Sequence, residues 1–219
     1  LYTRDLGAPD VSVLVEERRL VAVKVSESWQ SGLSAEPVSE LSLHGLQTDN
    51  LPELTVQFAH VHTLDLTGVR FLGQSANGFL NSFPALRRLV LSGNELTALP
   101  EAVERMSQLE RLELAANTLT DPEPLYRQLG GAPLRWLDLS HNQLGTFSTR
   151  AFSRLETLDL SYNSVTHWPD GALEATDLRT LNLSGNALTT FADRVLGGNH
   201  DELVAGTDLS DNHQLSLDS

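Results

Sequence analysis

Cysteine is absent from the 219 residues. That excludes a disulfide, a cysteine nucleophile and a thiolate metal site within this sequence. No run of 18 apolar residues occurs, so no stretch reads as a transmembrane helix. Basic residues are few: 15 Lys and Arg stand against 29 Asp and Glu, a formal net charge of -14. A nucleic-acid backbone repels such a chain, which argues against a nucleic-acid partner. Gly-rich phosphate loops are missing. The 7 histidines are scattered, and His60-x-His62 is the only close pair. Two such residues on a strand share a face, but no third ligand accompanies them, so neither a metal nor a cofactor is expected. The first residue is Leu1, and no basic-then-apolar signal segment opens the sequence. The expectation is an excised or processed piece.

Internal repetition is what the sequence does have. The frame Leu86, Leu89, Leu91, Asn94, Leu96 returns at Leu109, Leu112, Leu114, Asn117, Leu119. It returns again at Leu134, Leu137, Leu139, Asn142, Leu144, at Leu155, Leu158, Leu160, Asn163, Val165, and at Leu178, Leu181, Leu183, Asn186, Leu188. Two degenerate copies precede these (Val38, Leu41, Leu43, Leu46, then Val61, Leu64, Leu66, Val69, Phe71), and a worn one follows around Leu209, Asn212 and Leu215. Starts at 38, 61, 86, 109, 134, 155, 178 and about 204 lie 21 to 26 residues apart. This LxxLxLxxNxL pattern is the leucine-rich repeat. It predicts an α/β solenoid: a horseshoe with a parallel concave sheet, short convex helices or turns, and about eight copies over 38–219.

Each residue type has a physical reason. The LxL pair points into the core from a short strand, and the residue between faces solvent. The Asn turns inward after the strand, where its amide satisfies loop groups that would otherwise be buried unpaired. A ladder of Asn94, Asn117, Asn142, Asn163, Asn186 and Asn212 is therefore expected. Leu46 and Val69 hold that slot in the first two copies, so the ladder is expected to be missing there and the turn looser or rebuilt. On the return arcs, Asp121-Pro122 reads as N-cap and first helical residue, with Gly130-Gly131 as the stop. Pro100 opens another turn with Val103 and Met106 inward, and 190–196 reads as a further helical piece ending at Gly197-Gly198.

Residues 1–37 fall outside the repeat and read as a capping region with a connector. Over 11–29, Val11, Leu14, Arg18, Val21, Val25 and Trp29 fall near one helical face behind Asp10 as N-cap. A hairpin of Val11–Val15 and Val21–Val25 is the rival; its turn lacks Gly, Asn and Asp, which favours the helix. Either would cover the first repeat. No such cover follows the last one, so the natural protein is expected to continue past Ser219.

Solvent-facing columns come from aligning the repeats. Glu113, Asp138 and Asp159 occupy consecutive rungs, about 4.8 Å apart. There two carboxylates repel by roughly 1 kcal/mol even in water. Either a cationic partner relieves this, or Asp simply recurs at a slot where it splays into water. Trp136 stands nearby with His141 and Tyr162, and Arg88 and Arg111 lie one or two rungs away. Exposed Trp, Tyr and Arg are typical binding anchors; alternatively, Trp136 shields the sheet by packing on its neighbours. The candidate binding surface is thus Arg88, Arg111, Glu113, Trp136, Asp138, His141, Asp159 and Tyr162. The arginines would meet acids of a partner, and the carboxylates its bases. No catalytic constellation emerges, because Ser, His and acid follow repeat slots rather than a triad. The sequon Asn182-Leu183-Ser184 sits on a strand and is expected to be unused.

The order of segments also resembles a known family. A Trp-ended N-terminal helix (Arg18-Arg19-Leu20-Val21-Ala22 to Ser28-Trp29-Gln30) precedes "VSELSLHGLQTDNLPEL", "FAHVHTLDLTGV" and "FLNSFPALRRLVLSGNELTALPEAVERMSQLERLELAAN". Without Cys-rich caps, this is similar to bacterial leucine-rich-repeat effectors bearing a novel (NEL-type) E3 ubiquitin-ligase domain, in their larger Pseudomonas-type form. The resemblance implies a repeat domain that selects a host protein and contacts a separate C-terminal ligase domain. It further implies delivery from the bacterium into host cytoplasm. The ligase cysteine would lie outside this sequence, so the segment itself is not expected to be an enzyme. The alternative is a stand-alone or differently fused binding module without ubiquitin chemistry.

Overall fold

A computed structural model describes residues 11–71, 75–189 and 201–215. Its backbone is one sheet of 8 strands in sequence order, each parallel to the next. The strands are β1 (Glu40–Ser42), β2 (Thr63–Asp65), β3 (Arg88–Val90), β4 (Arg111–Glu113), β5 (Trp136–Asp138), β6 (Thr157–Asp159), β7 (Thr180–Asn182) and β8 (Thr207–Asp208). Helix α1 (Val11–Gly32) precedes them. Return segments carry α2 (Ser75–Leu80), a 3-10 turn (Glu101–Arg105), α3 (Glu123–Leu129) and α4 (Asp201–Ala205). This is the leucine-rich-repeat solenoid that the periodicity predicts.

Register follows the repeat frame. Leu41, Leu64, Leu89, Leu112, Leu137, Leu158 and Leu181 pair in succession along one rung line. These leucines and their partners two residues on are buried in one continuous core. Aromatic rings fill the wider convex side, where short strands leave more volume. Phe58 stacks on Phe83 at 5.0 Å, Phe83 meets Phe79 at 5.1 Å, and Tyr126 packs edge-on against Phe147 at 5.5 Å.

The asparagine ladder forms at every expected position. Asn142 Nδ2 donates to the carbonyls of Leu139, Ser140 and, one repeat back, Leu114; its Oδ1 accepts from Leu119 N–H. Asn117, Asn163, Asn186 and Asn212 repeat this stitch to the preceding repeat, and Asn94 does so with Arg70 N–H. In the first two copies apolar Leu46 and Val69 take the slot, and the chain turns left-handed again just beyond it, at Asp49 and Arg70 (φ 58 each), as it does at Glu95. Gly45 and Gly68 keep the left-handed backbone seen in later repeats (φ 75 and 65), and the Val69 carbonyl accepts from Thr48 N–H at 3.2 Å. Asn94 still reaches back to the Leu66 carbonyl and the Arg70 N–H of the second copy, so it is the first copy whose turn is held by backbone bonds without an amide.

The N-terminal segment is helical, not a hairpin. Of its expected inner face, Val21 is buried and Val25 packs against the core, but Trp29 is 37% exposed, meeting Phe58 edge-on at 5.8 Å, and Ser28 beside it is buried. Val38, read as the first core position of the first copy, is 61% exposed. Asp121 caps as expected, its carboxylate accepting from Glu123 N–H at 3.0 Å, and α3 stops at Gly130. Pro100 opens the 3-10 turn with Val103 and Met106 buried. The readings at Asp10 and 190–198 lie outside the described residues.

Candidate functional site

Strand pleat turns the middle leucine of each strand into the core and puts the residues on either side of it on the concave face. Cross-strand register then decides which side chains meet. Arg88, Arg111 and Trp136 are aligned on β3, β4 and β5, and Val90, Glu113 and Asp138 form the parallel line two residues on.

Glu113 is the hub of the first cluster. Its Oε1 accepts from Arg88 Nε at 2.9 Å and from Arg111 Nε at 2.9 Å, with Arg88 Nη2 at 2.8 Å. The Arg111 guanidinium carbon lies over the Trp136 ring, 3.8 Å from its centroid. Both arginines and the carboxylate, read from the sequence as awaiting a partner's charges, are thus committed to one another. One face of Trp136 is covered by Arg111, a cation–π contact worth about 0.5–1 kcal/mol at an exposed site. Val90, in the solvent-facing column, is 5% exposed instead, between Asp65 and Glu113 on the adjacent strands.

Asp138 and Asp159 form the second cluster, and they do not simply splay into water. Asp138 Oδ1 accepts from Ser140 N–H at 2.8 Å; Asp159 Oδ1 accepts from the N–H and hydroxyl of Ser161 at 2.8 and 2.6 Å. Asn182 and Asp65 do the same for Ser184 and Thr67. The carboxylate caps the strand end, which explains both its recurrence and why Ser140, Ser161 and Ser184 are buried rather than solvent-facing. Neighbours then set the acidity. Burial first, then the charges of Asp159 and Glu113, hold the Asp138 carboxyl above the usual range despite its bonds to Ser140. At Asp65, burial pushes upward too, but the Thr67 bonds and nearby His44 outweigh it and the carboxyl is lowered. The Asn182 amide of the sequon donates to Asp159 Oδ2 at 3.1 Å.

The third cluster lies at the rim, immediately after the strands. There the backbone turns left-handed on every rung. Glycine serves at Gly45, Gly68, Gly93 and Gly185, but Ala116, His141, Tyr162 and Asp211 take the same conformation, with φ of 52 to 57. A non-glycine residue in this region is strained by roughly 1–2 kcal/mol. His141 and Tyr162 bear that strain and stack, centroids 4.6 Å apart and planes within 8°. Tyr162 stays 49% exposed. A left-handed site occupied by two large, stacked, exposed rings gains nothing for the core, so the strain is more easily understood as serving a contact.

All eight sequence-selected surface residues therefore lie on four adjacent strands and their turns. The sequence missed the internal pairing of Arg88, Glu113 and Arg111. The glycine column at 45, 68, 93 and 185 was the available signal for the strained pair. His60 and His62 lie just before β2 rather than on it; His60 packs against Phe58 at 6.1 Å. Among the described residues no three of His, Asp and Glu gather as a metal set, and no helix is long and apolar enough to cross a membrane.

Comparison with known proteins gives a consistent picture. A family model described as "Leucine rich repeat" matches residues 59–119 and 153–201, and a second of the same description matches 133–155. The zebrafish (Danio rerio) transforming growth factor beta activator LRRC33 is 26% identical over 87% of this chain and 29% of its own length. Feline (Felis catus) Toll-like receptor 9 is 39% identical over 70% of this chain and 17% of its own. Mouse (Mus musculus) podocan-like protein 1 is 32% identical over 78% and 28% respectively. The chain thus spans less than a third of these relatives. Among solved structures, InlP of Listeria monocytogenes superposes with a TM-score of 0.56 at 23% identity, covering 78% of this chain and 42% of that one. InlJ of the same organism gives 0.53 at 21%, covering 74% and 32%. At such identities the likeness concerns the fold.

Proposed function

Because the chain belongs to the leucine-rich-repeat family, we propose that its four central strands form a protein-binding surface centred on Trp136, His141 and Tyr162. The observation that carries this reading is the exposed His141–Tyr162 stack on strained backbone. At the opposite end of β5, Arg111, bonded to Glu113, packs on Trp136, so these side chains are ordered before contact and lose little entropy on binding. Among the described residues Asp138 and Asp159 form no ion pair, which suits a partner of basic or mixed charge. The role is binding, with no turnover, cofactor or metal.

The finer reading is that this domain selects a host protein for a bacterial effector E3 ubiquitin ligase delivered into host cytoplasm. It would also contact a C-terminal ligase domain of the same polypeptide. Supporting it is the arrangement of a Trp-ended helix capping two degenerate repeats, without cysteine-rich caps.

The test is photocrosslinking from position 162. Protein carrying a photoreactive phenylalanine there is mixed with eukaryotic cytosol, and crosslinked partners are compared with those of a photoreactive control at position 104 on the convex side. A partner specific to position 162 is expected, with its affinity falling at least tenfold in both Trp136→Ala and Tyr162→Ala. A partner retained at full affinity by both folded variants would refute the concave-face reading. The ligase reading requires, separately, that the parent polypeptide transfer ubiquitin to that partner through a cysteine outside this sequence.

A further inference from the structure

A second surface lies between the capping helix and the return segment of the first repeat, independent of the concave face. Residues on one flank of α1, from Arg18 through Ala22 and Val25 to Trp29, form one wall. Leu51, Leu54 and Val56 belong to the other, and the space between has a volume of about 590 Å³. Along α1 the wall runs from Arg18 to Trp29, roughly 16 Å at about 1.5 Å per residue step. A cleft of this size matches small-molecule sites, which run from about 300 to 1,000 Å³, and falls short of a protein interface.

Four polar side chains, Arg18, Ser26, Thr48 and Asn50, interrupt the apolar lining, and two of them bear on a ligand. Thr48 is 1% exposed, lines the groove, and its hydroxyl has no hydrogen-bond partner. A buried hydroxyl without a partner is costly, and a ligand's polar group would satisfy it. Arg18 is the groove's one charged side chain, and among the described residues it makes no ion pair, while Arg19 beside it is matched by Glu16. On a chain of net charge -14, an unmatched cation at one end of an apolar cleft favours an anionic headgroup. Trp29 marks the other end, its ring edge-on to Phe58 and still partly exposed. We propose that this groove binds a single-chain amphiphile bearing a carboxylate. The apolar tail would run along α1 toward Trp29, the acid would meet Arg18, and a polar atom would meet Thr48.

The test is calorimetric titration of the chain with dodecanoate below its micellar concentration, with dodecyltrimethylammonium as the tail-matched cation. One equivalent of dodecanoate is expected, bound at least tenfold more tightly than the cation. Arg18→Gln should erase that preference, and Ala22→Trp, at an exposed position, should fill the cleft and abolish binding. Thr48→Val should raise the melting temperature of the free chain while weakening dodecanoate binding. The proposal is overturned if folded wild-type protein shows no saturable binding. It is equally overturned if Arg18→Gln and Ala22→Trp leave binding unchanged, or if both amphiphiles bind alike. The concave-face variants Trp136→Ala and Tyr162→Ala should bind dodecanoate normally, so the outcome does not depend on the protein-binding reading.

Discussion

The ring of Tyr162 lies over the backbone of Gly185: a β-carbon at that glycine would sit 2.6 Å from Tyr162 Cδ1. Gly185 also has a left-handed φ of 64. Gly185→Ala therefore carries two costs, roughly 1–2 kcal/mol of backbone strain and a steric clash with the ring. Both should appear in chemical denaturation, and only the first should remain in a Tyr162→Ala background. Equal cost in the two backgrounds would mean that the ring is not held over Gly185.

His141 stands one rung earlier on the same strained backbone. His141→Gly removes a stack worth about 0.5–1.5 kcal/mol but also relieves left-handed strain. The two nearly cancel, so stability should change by less than about 1 kcal/mol while partner affinity falls. A loss above about 2 kcal/mol in denaturation would instead make the pair a structural element.

Asn142 is bonded in both directions, to two carbonyls of its own turn and to the carbonyl of Leu114 and the N–H of Leu119 one repeat back. Asn142→Ala leaves these buried groups unpaired at about 1–3 kcal/mol each, partly relieved by entering water, so a total loss of roughly 3 kcal/mol is expected. Urea midpoints at constant m would measure it. A loss below about 1 kcal/mol would show that the ladder is dispensable once the turns are stacked, as they are at Leu46 and Val69.

Those two positions mark where sequence reading reaches its limit. The leucine and asparagine period fixes strand, core and ladder because each is a one-residue rule repeated along the chain. The turn at Leu46 follows instead from backbone bonds to the next repeat, and that at Val69 leans also on the Asn94 amide one repeat on, which no residue there announces. Pairing of Arg88 and Arg111 on Glu113 likewise depends on rotamers reaching across rungs. Asp138 and Asp159 looked like free charges because a carboxylate that caps its own strand carries the same letters. Trp29 could be placed on α1, but not the burial of Ser28 beside it, which leaves the ring partly exposed at the edge of the inner face.

Asp138 makes stability depend on pH. Its carboxyl is held above the usual range by burial and by Asp159 and Glu113. A raised acid contributes stability that is fully present below its unfolded value near 3.8 and is lost as pH rises through the folded value. At neutral pH the ionised group therefore opposes folding. Asparagine can accept from Ser140 as Asn182 accepts from Ser184, so Asp138→Asn should stabilise at pH 7 by at most about 1 kcal/mol. The gain should vanish at pH 3. A gain of equal size at both pH values would exclude charge as the cause.

Glu113 pairs with two arginines at once, its side chain 16% exposed against 41% for each arginine side chain. Glu113→Gln should cost about 1–2 kcal/mol, less in high salt, because the groups are partly solvated. A double-mutant cycle between Arg111 and Trp136 should give a coupling of about 0.5–1 kcal/mol that shrinks in the Glu113→Gln background, where Arg111 is no longer held over the ring. A coupling unaffected by Glu113 would separate the cation–π contact from the ion pair.

On the convex side the phenol of Tyr126 accepts from Ser148 N–H at 2.6 Å, tying α3 to the next return segment. Burial, with smaller contributions from Glu123, Asp121 and Asp170, pushes its pKa up to about 12 although the Ser148 bond opposes the shift. The sign follows from linkage: the unfolded phenol ionises near pH 10 and the folded one later. The associated stability is complete below about pH 10 and is lost as pH rises toward 12. Tyr126→Phe removes the acceptor and should cost roughly 1–2 kcal/mol at pH 8 by leaving Ser148 N–H unpaired. Phenylalanine has nothing to ionise, so the wild-type margin should narrow steadily between pH 10 and 12. Parallel pH profiles for the two proteins would mean that the phenol is as free to ionise in the folded chain as in the unfolded one. The hydroxyl would then be no fixed tie between the repeats.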